Sequence, residues 1–182
     1  MWIEKDALVG VIEPTCNKKR VPFFACRGYS SQSEQWEAGQ RIARRINDGK
    51  RVTVFHLGDH DPSGLDMTRD NEERLRMFIA EHADANMFEI ERLALNMDQV
   101  RTHNPPPNPA KMTDSRFGGY ATKYGNKSWE LDALEPKMIA KLIGDNINSV
   151  IDDDQWSEDE AKEASQRDRL HNLADTMDFD EE

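Results

Sequence analysis

Short apolar segments alternate with segments of helical periodicity along the first half of this chain. The apolar segments are residues 2–3, 21–26, 51–57 and 87–95, and the third of these (RVTVFHL) is the most β-branched. Residues 7–19, 31–48 and 62–82 between them carry apolar residues at helical spacing. This alternation predicts an α/β domain, with a mainly parallel sheet of about four strands and helices on both faces.

Charged residues directly follow two of the predicted strands. Glu4 follows the first strand, and Asp59 and Asp61 follow the third in the segment GDHDPSG. The carboxyl ends of parallel strands meet at one edge of the sheet, where ligands bind, and residues i and i+2 of an extended segment point to the same side. Three carboxylates at one edge repel each other unless a cation neutralises them. Oxygen ligands favour Mg²⁺, with Mn²⁺ as a substitute, over zinc.

These motifs resemble the Toprim domain. The segments EKDAL (residues 4–8) and GDHDPSG (residues 58–64) each follow a predicted strand, in the Toprim order. They are most similar to the Toprim domain in the A subunit of topoisomerase VI and in the related meiotic double-strand-break protein. Those domains have a glutamate after the first strand and a DxD pair followed by Pro-x-Gly after the third. The resemblance covers about residues 2–151 and includes ELDAL at residues 130–134.

The resemblance implies both a Rossmann-like Toprim fold and roles for individual residues. Glu4 would be a metal ligand or a general acid/base, and Asp59 and Asp61 would be magnesium ligands. Glu130 or Asp132 would add to the acidic cluster. The implied activity is Mg²⁺-dependent hydrolysis of a nucleic-acid phosphodiester, in DNA or RNA, by an endonuclease or nicking enzyme.

We do not expect this protein to contain the tyrosine-bearing part of the topoisomerases. The chain begins at the first predicted Toprim strand, without the winged-helix domain, and Tyr29, Tyr120 and Tyr124 do not match the nucleophile motif. We therefore expect hydrolysis by metal-bound water rather than a covalent protein–DNA intermediate. Two alternatives stay open. One is a non-enzymatic module that binds nucleic acid or a replication or recombination partner. The other is a topoisomerase-like subunit that uses a tyrosine from another chain.

Other interpretations of the two aspartates are structural. Asp59 and Asp61 could form a turn and a helix cap, but a cap needs one aspartate rather than two. The spacing also imitates the start of an EF-hand loop, although such loops follow a helix and this one follows a strand and contains Pro62. His56, in mid-strand, is expected to be a packed core residue, and His60 a solvated one.

Several basic residues are candidates for phosphate contact. Lys5 would touch a scissile phosphate or be solvated. Arg27 would bind a phosphate at a helix N-terminus, although Ser30 or Ser31 as a simple cap is the favoured interpretation. Residues 114–127 are predicted to be a long loop. This loop would either grip a nucleic-acid strand or be an ordinary polar loop. In the first case the strand would be held by the charges of Arg116, Lys123 and Lys127 and by stacking on Tyr120 and Tyr124.

The negative charge of the chain is concentrated at its end. Residues 152–182 carry 13 acidic and three basic residues, which accounts for nearly all of the net charge of −11. We therefore predict a catalytic domain over residues 1–151 and an acidic tail over residues 152–182, partly helical and ending disordered. The tail would be a solubilising appendage, a mask for the basic loop, or a docking segment for a basic protein partner.

Composition also sets expectations for the cellular setting. Cys16 and Cys26 form neither a disulfide framework nor a CxxC metal site, which fits a reducing compartment. No apolar run approaches the ~20 residues needed to span a bilayer. We expect a cytoplasmic protein without membrane association. A free-standing Toprim protein would suit a bacteriophage, in which case the compartment would be the host cytoplasm. The sequence does not decide whether the protein forms a homodimer.

Overall fold

A four-stranded parallel sheet forms the centre of the protein. The computed structural model describes residues 1–176, which divide into two compact units, residues 1–144 and the part that follows from Asp145. The strands of the sheet are β1 (Trp2–Ile3), β2 (Phe24–Ala25), β3 (Val52–Leu57) and β4 (Phe88–Ala94). Their order is β2-β1-β3-β4, and every neighbouring pair is parallel. The predicted α/β class and strand number are confirmed.

Helices alternate with the strands of this sheet as predicted. The helices of the described residues are α1 (Val9–Lys18), α2 (Gln32–Asn47), α3 (Pro62–Ala80), α4 (Met97–His103), α5 (Phe117–Tyr124), α6 (Pro136–Val150) and α7 (Asp153–Thr176). The order along the first part of the chain is β1, α1, β2, α2, β3, α3, β4. A small antiparallel pair, β5 (Asn108–Pro109) with β6 (Lys127–Ser128), lies between α4 and α6 in the chain.

Local sequence signals explain where the main helices begin. Ser31 caps α2 with a complete capping box, in which its hydroxyl accepts from the Glu34 amide and the Glu34 side chain accepts from the Ser31 amide. Helix α3 begins at Pro62, whose missing N–H costs nothing in a first turn, with Asp61 as its N-cap. The favoured interpretation of Ser31 as a cap is therefore confirmed.

The hydrophobic core on one face of the sheet joins the strands to α2 and α3. Its buried members include Trp2 from β1, Ile42 from α2, Val54 from β3 and Leu75 from α3. Gly39 of α2 permits close packing of the two helices, because a Cβ there would lie 2.7 Å from Cβ of Phe78. The strands that carry the acidic residues are therefore fixed by packing from beneath.

The structure differs from the sequence prediction in residues 114–127. These were expected to form a long loop, but α5 occupies Phe117–Tyr124. The two glycines at its start lower helix propensity. Packing of Tyr120, which is buried, compensates for that cost.

The second unit contains the exposed helix α7, within which no residue is buried. Residues 177–182, where the tail was predicted to end disordered, lie outside the described residues. Cys16 and Cys26 are both buried free thiols. Within residues 1–176 the structure contains no helix that is both long enough and apolar enough to cross a membrane.

Candidate functional site

Glu4 and Asp59 meet at the carboxyl edge of the sheet. Ile3 of β1 pairs with Leu57 of β3, and the Glu4 amide donates to the Leu57 carbonyl at 2.8 Å. Beyond the end of both strands, the Asp59 amide donates to Oε2 of Glu4 at 2.9 Å. Residues 55 positions apart in the chain therefore share one hydrogen bond at this edge.

The two glycines of the GDHDPSG segment are required by close contacts. A Cβ on Gly58 would lie 2.8 Å from Oε2 of Glu4 and 3.3 Å from Nη1 of Arg92. A Cβ on Gly64 would overlap the carbonyl of Asp59. A side chain is therefore excluded at Gly64 by backbone, whereas at Gly58 it would require the Glu4 carboxylate to move.

Asp61 is the N-cap of helix α3. Its Oδ1 accepts from the Gly64 amide at 2.6 Å and from the Ser63 hydroxyl at 3.1 Å. The capping interpretation considered for the sequence thus applies to Asp61 and not to Asp59. The cap also uses the Gly64 N–H group, which is therefore not free to bind a phosphate at the N-terminus of α3.

Lys5 lies within an acidic cage rather than in solvent. Its Nζ is 3.3 Å from Oδ2 of Asp59, 2.9 Å from Oε2 of Glu130 and 3.0 Å from Oδ1 of Asp132. The backbone amide of Leu131 donates to Oδ1 of Asp59 at 2.8 Å. The segment 130–132 therefore contacts Asp59 through its backbone and Lys5 through two side chains.

Burial and mutual repulsion perturb the pKa values of these groups. Burial, followed by the charge of Asp59, raises the pKa of Glu4 to about 7. Burial also raises the pKa of Asp59, against the opposing effects of the Leu131 amide and the Lys5 charge. Burial disfavours the charge on Lys5, but hydrogen bonds to Glu130 and Asp132 outweigh it and raise the pKa of the ammonium. The site thus holds more negative charge than its environment stabilises.

Glu4, Asp59 and Asp61 offer the carboxylate oxygens that a hard divalent cation prefers. The repulsion of Glu4 by the two aspartates is of the kind that a bound cation relieves. In the described conformation, Lys5 contacts Asp59 and Asp61 caps α3. Across residues 1–176, no three His, Cys, Asp or Glu side chains are gathered closely enough to surround an ion.

Arg92, in β4, supports the whole acidic loop from below. Its guanidinium donates to the carbonyls of Gly58 (2.9 Å), Asp59 (2.6 Å) and Gly64 (2.9 Å), and to the hydroxyl of Thr68 (2.7 Å). Burial lowers its pKa to about 10. Arg92 is not among the site residues predicted from the sequence. Its position near the end of an apolar strand could have indicated it, because a charge there needs several hydrogen-bond acceptors.

His60 is buried, which corrects the expectation that it is solvated. Its ring lies among those of Tyr120, Tyr124 and Trp129. Its backbone forms an antiparallel bridge with Trp129, with N···O distances of 2.8 and 3.0 Å. Burial lowers the pKa of His60 to about 4. The middle residue of the DxD segment is thus an anchor for the region around α5.

The same contacts take Tyr120 out of the predicted strand-gripping surface. Tyr120 is buried, and its hydroxyl lies 3.0 Å from the carbonyl oxygen of His60 and 2.8 Å from that of Lys127. Tyr124 is half-buried and packs edge-on against His60 with 4.7 Å between ring centroids. These rings hold α5 against the acidic loop, and Tyr120 presents no open face for base stacking.

The predicted phosphate-binding residues lie in different settings. Arg27 forms an ion pair with Asp6 at 3.2 Å. Arg116 forms ion pairs with Asp66 at 2.7 Å and Asp114 at 3.2 Å, and lies over the ring of Tyr29. Lys123 and Lys127 are exposed. His56 is fully buried as predicted, and its Nδ1 lies 2.8 Å from the Thr68 hydroxyl.

Comparisons with known proteins do not assign a family. No protein-family model matches this chain, and no curated protein or solved structure matches it. The resemblance to Toprim therefore stays a prediction from the motifs at residues 4–8 and 58–64.

Proposed function

We propose that this protein is a Toprim-type enzyme that hydrolyses phosphodiester bonds of nucleic acid with Mg²⁺. The observation that carries the proposal is the hydrogen bond between the Asp59 amide and the Glu4 carboxylate. It brings the glutamate after β1 and the acidic pair after β3 to one sheet edge, where ligands of parallel sheets bind.

Glu4, Asp59 and Asp61 are the residues that would hold the ion. Bound Mg²⁺ would supply a water nucleophile of lowered pKa and charge stabilisation for the leaving oxygen. Mn²⁺ would substitute, since it accepts the same oxygen donors. Lys5 competes for Asp59 in the described conformation, so loading the site requires its ammonium to share or leave that carboxylate.

The residues around the ion would then have separate roles in the reaction. Lys5, released from Asp59, would lie beside the scissile phosphate and stabilise its developing negative charge. Glu130 and Asp132 would receive the Lys5 ammonium in the unloaded state and so hold it near the site. Arg92 touches no substrate in this scheme, and fixes the backbone from which Asp59 and Asp61 project.

Gel cleavage of supercoiled plasmid, linear DNA and structured RNA, with Mg²⁺, Mn²⁺ or EDTA, tests the proposal. We expect metal-dependent cutting that is lost in Asp59→Ala and in Asp61→Asn, which retains a side chain able to cap α3. Asp98→Ala is the matched control, because Asp98 is exposed and its partner is Arg101 of the same helix. The absence of cutting on all three substrates by folded protein would refute stand-alone hydrolysis.

A second candidate function is a binding module without turnover. The specific observation in its favour is the contact of Lys5 with Asp59, Glu130 and Asp132, because a built-in cation already compensates the acidic cluster. Such a module would bind nucleic acid or a replication or recombination partner. Specific binding without any cleavage, unchanged by EDTA, would distinguish it from the enzyme.

A tyrosine supplied by another chain is the third alternative. It predicts a DNA end that stays attached to protein after denaturation in detergent. The hydrolytic proposal predicts free ends, and cleavage that survives Tyr29→Phe and Tyr124→Phe.

A further inference from the structure

A groove outside the acidic site runs between α2 and the beginning of the sheet. Its volume is about 750 Å³, within the range of roughly 300–1,000 Å³ that is usual for ligand sites. Trp2, Phe24, Ile42 and Val54 contribute to an apolar floor. These residues come from β1, β2, α2 and β3, so the groove is built on rigid elements of the first unit.

Arginines surround this apolar floor. Arg20, Arg41, Arg44 and Arg45 line the groove, against a single acidic lining residue, Asp48. Arg41 lies 3.8 Å from Glu37, and Arg44 donates through Nε to the backbone carbonyl of Gln40, so its charge is not neutralised by that contact. The lining of the groove is therefore net positive, within a chain of net charge −11.

The apolar floor and the surrounding arginines, which form its rim, together favour an anionic ligand with bulky apolar groups. Interfaces that bind peptides have this arrangement, with an apolar centre that excludes water and a charged rim. An arginine rim complements carboxylates and discriminates against basic partners.

The aromatic residues of the floor favour a peptide over a nucleic-acid strand. Base stacking needs a ring face that is open to solvent. Trp2 is only 8% exposed, and its ring packs against that of Phe24 with 5.3 Å between centroids. The floor can therefore receive aliphatic or aromatic side chains in its gaps, but it offers no flat platform for successive bases.

We propose that this groove is a docking site for an acidic peptide segment of a partner protein, which inserts bulky apolar side chains between flanking Asp and Glu residues. The floor would bury the apolar side chains, and Arg44 and Arg45 on α2 would pair with the flanking carboxylates. The site is independent of the proposed hydrolysis, because none of its lining residues belongs to the acidic cluster.

Fluorescence anisotropy with the full chain tests this docking site. The probe is a fluorescein-labelled synthetic peptide that carries Leu and Phe between runs of Glu. A second peptide with Ser in place of Leu and Phe keeps the charge, and a third with Gln in place of Glu keeps the apolar groups. We expect binding of the first peptide only.

The protein variants separate the groove from general electrostatics. The double substitution Arg44→Gln with Arg45→Gln should weaken binding by about tenfold, as expected for two exposed ion pairs. The matched control is Arg101→Gln with Lys111→Gln, which removes equal charge from exposed positions outside the groove and should leave affinity unchanged. Thermal unfolding verifies that both double variants are folded.

The proposal would be overturned if folded protein did not bind the Leu/Phe peptide, or bound the Ser peptide or the Gln peptide equally well. Equal loss of binding in the control double variant would also overturn it. Without peptide binding, two results would assign the groove to another occupant and overturn the proposal. They are binding of single-stranded DNA that depends on Arg44 and Arg45, and a dimer in sedimentation that is lost in Arg44→Gln/Arg45→Gln.

Discussion

The guanidinium of Arg92 donates a hydrogen bond to the backbone carbonyl of Asp59, with 2.6 Å between Nη2 and the oxygen. The same guanidinium also binds the carbonyls of Gly58 and Gly64, so one side chain joins both ends of the acidic loop. A residue of β4 thereby fixes the loop that follows β3. The acidic side chains project from a backbone that is held at several points, which is the arrangement a precise metal site requires.

Arg92→Met should therefore destabilise the fold strongly. The substitution removes hydrogen bonds from the guanidinium to three carbonyls and to the Thr68 hydroxyl, and a hydrogen bond to a charged group contributes about 1.5–3 kcal/mol. The Gly58 carbonyl keeps the Leu95 amide as a second donor. We expect a loss of roughly 3 kcal/mol or more in the free energy of unfolding, measured by urea denaturation. Arg101→Met, at an exposed position, is the control and should be within ~0.5 kcal/mol of wild type. Equal stability of the two variants would contradict the role assigned to Arg92.

Gly58→Ala should impair the site more than the fold. The new Cβ would lie 2.8 Å from Oε2 of Glu4, so that carboxylate must move from the Asp59 amide. We expect cleavage activity to fall by at least ~10-fold, in line with the cost of displacing a positioned group by about 1 Å. Gly118→Ala is matched in chemistry and has open space around its Cβ position, so it should retain activity. Full activity in Gly58→Ala would show that Glu4 need not stay where it is.

Lys5→Met tests whether the lysine competes with a metal ion. Removal of the ammonium leaves Asp59 paired with the Leu131 amide alone, which increases the negative charge available to a cation. We expect tighter Mn²⁺ binding, followed by electron paramagnetic resonance, together with slower cleavage because phosphate stabilisation is lost. Lys50→Met, at an exposed position, should change neither quantity. Weaker Mn²⁺ binding in Lys5→Met would refute the competition.

The stability of the protein should fall in mild acid, partly because of His56. Burial lowers the pKa of His56 from 6.5 to about 3. Below pH 6.5 the unfolded chain takes up a proton at this residue that the folded chain does not. The stability that neutral His56 contributes is therefore fully present above pH 6.5 and is lost as the pH falls towards 3. The free energy of unfolding should fall by up to ~1.4 kcal/mol per pH unit from this residue.

Comparison with His56→Gln isolates this contribution. The free energy of unfolding is measured by urea denaturation at roughly half-unit steps between pH 7 and pH 5. This range includes the pKa of 6.5 of a histidine in the unfolded chain. The pKa of Glu4 is raised to about 7, so in this range protonation of Glu4 favours the folded chain as the pH falls, opposite to the effect of His56. Glu4 is present in both proteins, so its contribution to the stability cancels in the comparison. The variant should lose less stability than wild type on acidification, whereas His103→Gln, at an exposed position, should follow wild type. Parallel pH profiles for wild type and His56→Gln would contradict burial of a neutral imidazole.

The sequence by itself determined the α/β class, the parallel sheet and where helices α2 and α3 begin. It could do so because β-branched apolar segments, helical spacing, the Ser31 capping box and Pro62 act over a few neighbouring residues. It also located Glu4 and Asp59 correctly at strand ends, because parallel strands bring their carboxyl ends to the same edge.

Only the tertiary structure decided how the acidic residues are used. The cage around Lys5 and the burial of His60 depend on partners far away in the chain, such as Asp132 and Tyr120. The same holds for the support from Arg92 and for the arginine-lined groove, since neither has a local pattern. Local propensity specifies elements, whereas the partners of a buried charge or ring are set by which elements pack together, and that packing is decided by the whole core.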